Sequence, residues 1–182
     1  MQDGVAPRRI VVVGVSGNGK TTLSRQLGAR LGLPVTELDA LNHQPGWMEA
    51  SDEDFRRDVD AAMRSPDGWV LDGLYQRKIG DLILGRADTL VWLDQPLPLV
   101  LWRLVRRAVK DIVTQRDLFN GNRQTWRFAF FTRDSLVGFA IKEHFRHRRN
   151  WPAGFGHHPN LQIVRLRSAR EVEAWLRAQV PG

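Results

Sequence analysis

The sequence predicts an α/β protein built on a doubly wound parallel sheet. Three observations carry that prediction. Short β-branched apolar runs alternate with segments of helical periodicity along most of the 182 residues. The first run, Arg9–Gly14, shows no polar alternation, as expected of a central strand buried on both faces. It leads into Gly14-Val15-Ser16-Gly17-Asn18-Gly19-Lys20-Thr21, which fits G-x-x-x-x-G-K-[ST] without a mismatch and joins a strand to a helix.

The elements follow in order. Leu23, Leu27 and Leu31 recur at helical spacing after Lys20, and Gly32 and Pro34 stop the pattern, which predicts a helix over Lys20–Leu31. Pro34–Leu38 reads as a second short strand ending at Asp39, and Pro45-Gly46 marks a turn within Asn42–Trp47. Ser51 with Asp54 resembles a capping box and opens a helix to about Met63. Trp69–Leu71 is a third strand, ending at Asp72-Gly73. Thr89–Leu93 is a fourth, with a helix from about Pro98, and Leu161–Leu166 is a fifth, with a helix from Ser168 to Gln179. Residues 114–158 break the rhythm and read as an irregular, partly helical insertion. No repeat or linker divides the chain, so residues 1–182 are expected to form one domain.

Composition narrows the function classes. Apolar residues make up 42% and charged residues 26%, which excludes wholesale disorder. No apolar run reaches membrane-spanning length, and Ile10–Val13 is too short for a signal-peptide core, so no secretory leader and a cytoplasmic location are expected. The absence of cysteine excludes disulfides, thiolate zinc sites and a cysteine nucleophile. The 27 Lys+Arg outnumber the 20 Asp+Glu, for a net +7. Between Arg103 and Arg149 twelve cations face four acids, hence +8, which leaves −1 for the remainder. That segment suits an anionic partner, although an arginine-heavy composition also follows from genomic base composition.

The glycine-rich string has a mechanism. Its glycines let the loop wrap closely, so that the backbone N–H groups from Gly14 through Thr22, with Ser16, Gly17, Asn18 and Gly19 between them, point at β- and γ-phosphates. Lys20 adds a mobile cation, the Thr21 hydroxyl reaches Mg²⁺, and the following helix offers its positive end. A nucleoside triphosphate site follows. The metal needs a second oxygen ligand. Asp72, followed by a glycine that leaves room beside the strand end, is the expected one. Asp94, followed by Gln95-Pro96-Leu97-Pro98, is expected to cap the next helix.

Several motifs occur in the same order in a known group. The loop, Glu37-Leu38-Asp39-Ala40-Leu41, Pro45-Gly46-Trp47, Val70-Leu71-Asp72-Gly73-Leu74-Tyr75, Arg86-Ala87-Asp88, Val91-Trp92-Leu93-Asp94 and Phe119-Asn120-Gly121-Asn122-Arg123 resemble adenylate-kinase-like P-loop proteins often labelled topology modulation proteins. The resemblance spans about residues 8–180, and more distantly the chain is similar to shikimate and gluconate kinases. It implies a P-loop NTPase three-layer sandwich with sheet order 2-3-1-4-5, ATP with Mg²⁺, phosphoryl transfer to a small acceptor, and a mobile lid near residues 114–135. Gln124 stands where relatives commonly have Glu, and Asn42-His43 where they often have His-Trp, so the acceptor stays open.

Alternatives remain at individual residues. Asp39, at a strand's carboxyl end, either orients an acceptor hydroxyl or caps a turn. His43 either contacts the acceptor or is merely solvated. Arg103, Arg106, Arg107 and Lys110 form one helical stripe, either solvated or, for Arg103 or Arg107, on phosphate; Val100, Leu101, Leu104, Val105 and Ala108 form the opposite, core-facing side. Arg116 and Arg123 flank Asn120-Gly121-Asn122, a turn suited to a hinge, and are expected to close over the transferred group. Arg77 loosely matches an acceptor-phosphate arginine. Trp126, Phe128, Phe130, Phe131, Phe139 and Phe145, interleaved with Arg127, Arg133 and Arg146, either stack nucleic-acid bases or, as expected here, pack the insertion onto the body. Arg167 and Ser168 sit at an adenine-side position, or Ser168 is an N-cap. The leading expectation is an ATP- and Mg²⁺-dependent kinase of a small, nucleoside- or nucleotide-like acceptor, without a membrane partner, as a monomer or weak homodimer. The rivals are a nucleotide-gated nucleic-acid-binding regulator and an NTPase that switches a protein partner.

Overall fold

The apolar runs become five strands of one parallel sheet: β1 (Arg9–Val13), β2 (Val35–Glu37), β3 (Trp69–Asp72), β4 (Thr89–Leu93) and β5 (Gln162–Leu166). The computed structural model describes residues 7–132, 135–155 and 157–179. The sheet is ordered β2-β3-β1-β4-β5, the expected order. β1 lies at its centre, with Val12 opposite Asp72 on one side and Val91 on the other.

Seven α-helices, α1 (Lys20–Leu31), α2 (Leu38–Asn42), α3 (Asp52–Ala62), α4 (Gln76–Ile79), α5 (Leu97–Val113), α6 (Leu136–Phe155) and α7 (Ala169–Ala178), join the strands among the described residues, with a short 3₁₀ turn at Pro45–Trp47 and a π turn at Arg127–Phe131. Strand pleating sorts the core into two layers. Val11, Val13, Leu71, Leu90 and Trp92 meet Phe55 and Val59 of α3, Ile79 and Phe155. Ile10, Val12, Val70, Val91 and Leu93 meet Leu23 and Leu27 of α1, with Val172 and Trp175 of α7 against them. Each fully buried Val, Leu, Ile or Phe contributes about 1.5–3 kcal/mol, so both layers are needed. Ser51 and Ser168 cap α3 and α7, each accepting from the N–H three residues on, at 3.0 and 3.2 Å. Glu171 reaches back past the cap and accepts from Arg167 N at 2.8 Å.

Three expectations need correction. The second strand stops at Glu37, because Leu38 and Asn42 are both fully buried at i, i+4 spacing and the chain turns into α2 to bury them. Asp39 therefore lies in the first turn of a helix. The insertion is not mostly irregular, since α6 alone runs for 20 residues. Its inward stripe is Ala140, Glu143, His144, His147, Trp151 and Phe155, a helical spacing hidden by polar members. Val105, expected in the core, is exposed on α5 together with Trp102 and Val113.

Glu143 and His147 of α6 pair with each other, while His147 Nδ1 has no hydrogen-bond partner. Glu143 is buried and faces Arg146 at 2.5 Å and His147 Nε2 at 3.1 Å, while the His147 ring stacks on Trp151 at 3.7 Å. Burial, then the charges of Arg146, Lys20 and His144, push the His147 imidazole down to about 3 from its ordinary 6.5. Below about pH 6.5 the unfolded chain takes up this proton and the folded chain does not. Stability is therefore expected to fall as pH drops from about 6.5 towards 3, at up to about 1 kcal/mol per pH unit. Urea denaturation across that range checks this: His147→Gln should flatten the slope, and an unchanged slope would exclude His147 as its source.

Candidate active site

The glycine-rich loop is held against the carboxyl end of β4 and the start of α5. A Cβ on Gly14 would lie 2.7 Å from the Leu93 carbonyl oxygen, and one on Gly17, at φ +90°, 2.6 Å from that of Val100. No other residue type allows this approach. Asn18 is buried, and its Oδ1 accepts from Gln95 N at 3.3 Å, which pins the loop's crest. α1 begins at Gly19 with no side-chain cap and no acid in its first turn, so its leading N–H groups face the loop's concavity without a counter-charge. Ser16, Lys20 and Thr21 are half-buried there, and Thr22 is exposed.

Across from α1, β3 ends in Asp72. Thr21 Oγ1 donates to Asp72 Oδ2 at 2.5 Å. Asp72 is 6% exposed, and its Oδ1 has no donor. Burial holds this carboxyl above the usual carboxylate range; Lys20 and the Thr21 hydroxyl pull it down, and Asp39 and Glu37 push it up. A hydroxyl oxygen beside a buried carboxylate with an unused oxygen is a hard-oxygen donor set of the kind Mg²⁺ takes, so Thr21 and Asp72 fit that ion. Among the described residues no cluster of three or more His, Asp or Glu is arranged to hold a metal by protein ligands alone.

Asp39 stands beside this pair. Its Oδ1 accepts from the Tyr75 hydroxyl at 2.7 Å, and it caps no helix, since α2 starts after Glu37 without a side-chain cap. Tyr75 adopts a left-handed φ of 47° and packs on Phe55 at 5.0 Å. Burial and then Asp39 push its phenol far above the usual range, so it stays a donor. Tyr75 and Lys78 carry weight that sequence reasoning missed. Lys78, with its side chain 16% exposed, donates to Asn42 Oδ1 at 2.7 Å and to Ala50 O at 2.9 Å, and pairs with Glu49 at 3.0 Å. The dense Tyr75-Gln76-Arg77-Lys78 run after Asp72-Gly73 was the only available signal.

The expected arginines are scattered. Arg103 donates to Gln95 Oε1 at 2.8 Å, next to the loop's anchor, while Arg106 lies over Trp102 at 5.4 Å and Arg107 is exposed. Arg116 is exposed, 3.9 Å from Asp111, and Arg123 pairs with Asp117 at 2.8 Å. His43 stacks on Phe119 at 6.2 Å; Arg77 and Arg167 are exposed. Arg133 lies outside the described residues.

Asp94 does not cap α5, whose N-terminus at Pro96 has no side-chain cap. Its carboxylate is 4% exposed and accepts instead from Arg148 at 2.6 Å and from both Nε and Nη2 of Arg165 at 3.0 and 2.6 Å, with Arg165 over the Trp92 ring at 4.1 Å. The six aromatics expected to pack the insertion onto the body do not all do so: Phe131 is 80% exposed and Phe145 59%, with Trp126, Phe128 and Phe139 also exposed, while Phe130 packs on Ala108, Ile112 and Ala129. Asp94→Ala would strand two guanidinium groups. A loss of about 1–3 kcal/mol in urea unfolding is expected, below the cost for a fully buried pair because both arginines are part-exposed. Unchanged stability would show that the pairing contributes nothing net.

Comparison with known proteins bears on this geometry. No family model matches the chain. A shikimate kinase from Synechococcus sp. (strain CC9902) is 30% identical over 128 residues, 65% of each chain. A gluconokinase from Gluconobacter oxydans (strain 621H) is 52% identical over 48 residues, 26% of each chain. The chain thus matches less than two thirds of the length of these curated relatives. The crystal structure of shikimate kinase from Bacteroides thetaiotaomicron superposes with a TM-score of 0.54 at 17% identity, covering 94% of this chain and 96% of that one. Sheet order, loop position and this coverage establish that the chain has the three-layer α/β fold of the shikimate kinase structure.

Proposed function

We propose that this chain is a kinase that transfers the terminal phosphoryl group of ATP to a hydroxyl of a small acceptor. One observation carries the reading: the Thr21–Asp72 pair, 2.5 Å apart with a spare buried oxygen, shares the carboxyl edge of the sheet with a second carboxylate, Asp39, close enough for its charge to act on Asp72. A second carboxylate at this edge suits an acceptor hydroxyl, which nucleotide binding by itself does not call for. The names of the relatives support the same class.

The roles follow from position. The amides of Gly14 through Thr22 and the Lys20 ammonium take the phosphates, with Arg167 on the adenine side. Thr21 and Asp72 are the residues that would hold Mg²⁺, which when bound supplies charge neutralisation between phosphate oxygens. Asp39, oriented by the Tyr75 hydroxyl, receives or directs the acceptor's proton. Arg116 and Arg123 exchange Asp111 and Asp117 for the transferred group as the lid closes. Positioning and charge supply most of the rate in such transfers. The acceptor is a nucleoside, a nucleotide, or a polyhydroxylated acid such as the relatives' names specify.

A second reading, a single-stranded nucleic-acid surface on α5 and the insertion, draws support from the exposed Trp102, Arg106, Arg107 and Lys110 of α5 and Phe131, Phe139, Lys142, Phe145 and Arg149 of the insertion. It predicts an affinity that collapses between about 50 and 200 mM salt.

An ADP-release screen against shikimate, gluconate, nucleosides and nucleotides tests the leading reading, with Lys20→Ala as the inactive control. Asp39→Asn is expected to reduce acceptor phosphorylation at least about 100-fold while ATP affinity stays within about twofold. Unchanged turnover would remove Asp39 from the mechanism, and ADP release independent of every acceptor would leave an NTPase.

A further inference from the structure

The segment after α2 and the turn between α5 and α6 are fastened to each other by side chains, not by a shared core. Residues 119–122 form a tight turn in which both central residues are left-handed, Asn120 at φ 51° and Gly121 at φ 78°, the pairing that Asn-Gly favours. Asn122 N donates to Phe119 O at 3.0 Å and Leu118 N to Asn122 O at 2.8 Å, with Asp117 and Arg123 bridged beneath.

Opposite the turn, α2 ends after a single turn and leaves carbonyls without helical partners. Asn120 Nδ2 donates to two of them, Ala40 O at 3.2 Å and His43 O at 2.5 Å. Asn122, buried to 4%, uses both ends of its amide: Nδ2 donates to Gln44 O at 2.8 Å and Oδ1 accepts from Trp47 N at 2.9 Å. Trp47 Nε1 donates back to Arg123 O at 3.4 Å. Two ring pairs flank these bonds, His43 on Phe119 and, at 6.0 Å and 17°, Trp47 on Phe128.

We infer that Asn120 and Asn122 are positioning residues that tie the turn carrying Arg123 to the segment carrying Asp39, so that the two move as one body over the acceptor. The inference rests on reading Asp39 as the acceptor-side carboxylate. The turn is then not a free hinge. An acceptor that orders residues 39–47 thereby orders Arg123, and loss of the amides loosens both ends together.

The backbone permits a clean test. Asn120→Gly keeps the left-handed turn and removes only the amide, whereas Asn120→Asp places a carboxylate against two carbonyl oxygens. Asn122→Ala removes the second amide. Hydrogen exchange of the full chain, with and without Mg·ADP, reads the coupling directly. In Asn120→Asp and Asn122→Ala, segments 40–48 and 117–123 are expected to exchange at least about tenfold faster together, while β1 and β3 exchange as in the wild type. Unchanged exchange at 40–48, or acceleration of only one segment, overturns the inference. With whichever acceptor the ADP screen identifies, Asn120→Gly is expected to raise the acceptor KM at least about fivefold and leave the ATP KM within about twofold; equal changes in both, or in neither, also overturn it. Should no acceptor be phosphorylated by the wild type, the kinase reading fails, and the exchange measurement still decides the coupling.

Discussion

A carboxylate buried at the end of β3 governs how the carboxyl edge of the sheet is arranged. Asp72 spends one oxygen on Thr21 and keeps the other without a donor, at a depth where an unpaired acceptor is costly. That arrangement persists because the strands on either side fix it: Val12 in β1 and Glu37 in β2 both stand in register with Asp72. β1 then passes directly into the loop, and α1 returns Thr21 to the same carboxylate. The polar edge thus sits at the end of central strands, β1, β3 and β4, that are buried almost throughout.

Much of this was legible in the chain itself. The loop motif sits where a two-sided apolar run meets leucines at helical spacing, and each signal confirms the other, so β1, the loop and α1 were read to within a residue. Asp72 was singled out because it ends a strand and precedes Gly73. Asp94 ends a strand in the same way and was misread, because its partners, Arg148 and Arg165, lie 54 and 71 residues away. No local pattern reports a contact at that distance. α2 was missed because Pro34–Leu38 reads as a short strand running up to Asp39, and only tertiary burial of Leu38 and Asn42 decides for a helical turn.

The insertion shows a different limit. Its long helix turns Glu143, His144 and His147 inward, and a reading that seeks apolar stripes passes over a stripe interrupted by these polar members. Its turn was read as one that Asn and Gly favour, and Asn120 and Gly121 are left-handed there; the bonds of the Asn120 and Asn122 amides to the facing segment had no local signal. Part of the positive charge between Arg103 and Arg149 is likewise paired within the molecule, Arg123 with Asp117, Arg146 with Glu143 and Arg148 with Asp94. Net charge along the sequence therefore overstates what the surface offers to a polyanion.

The account stands or falls on the phosphate cradle and its oxygen pair. The most direct measurement is a calorimetric titration of ATP into the wild type and into Thr21→Val, each with magnesium and with EDTA. The wild type is expected to gain at least about tenfold in affinity from magnesium, and Thr21→Val to lose that gain while keeping its metal-free affinity. No heat with ATP under either condition, or a magnesium gain that survives the loss of the Thr21 hydroxyl, would contradict it.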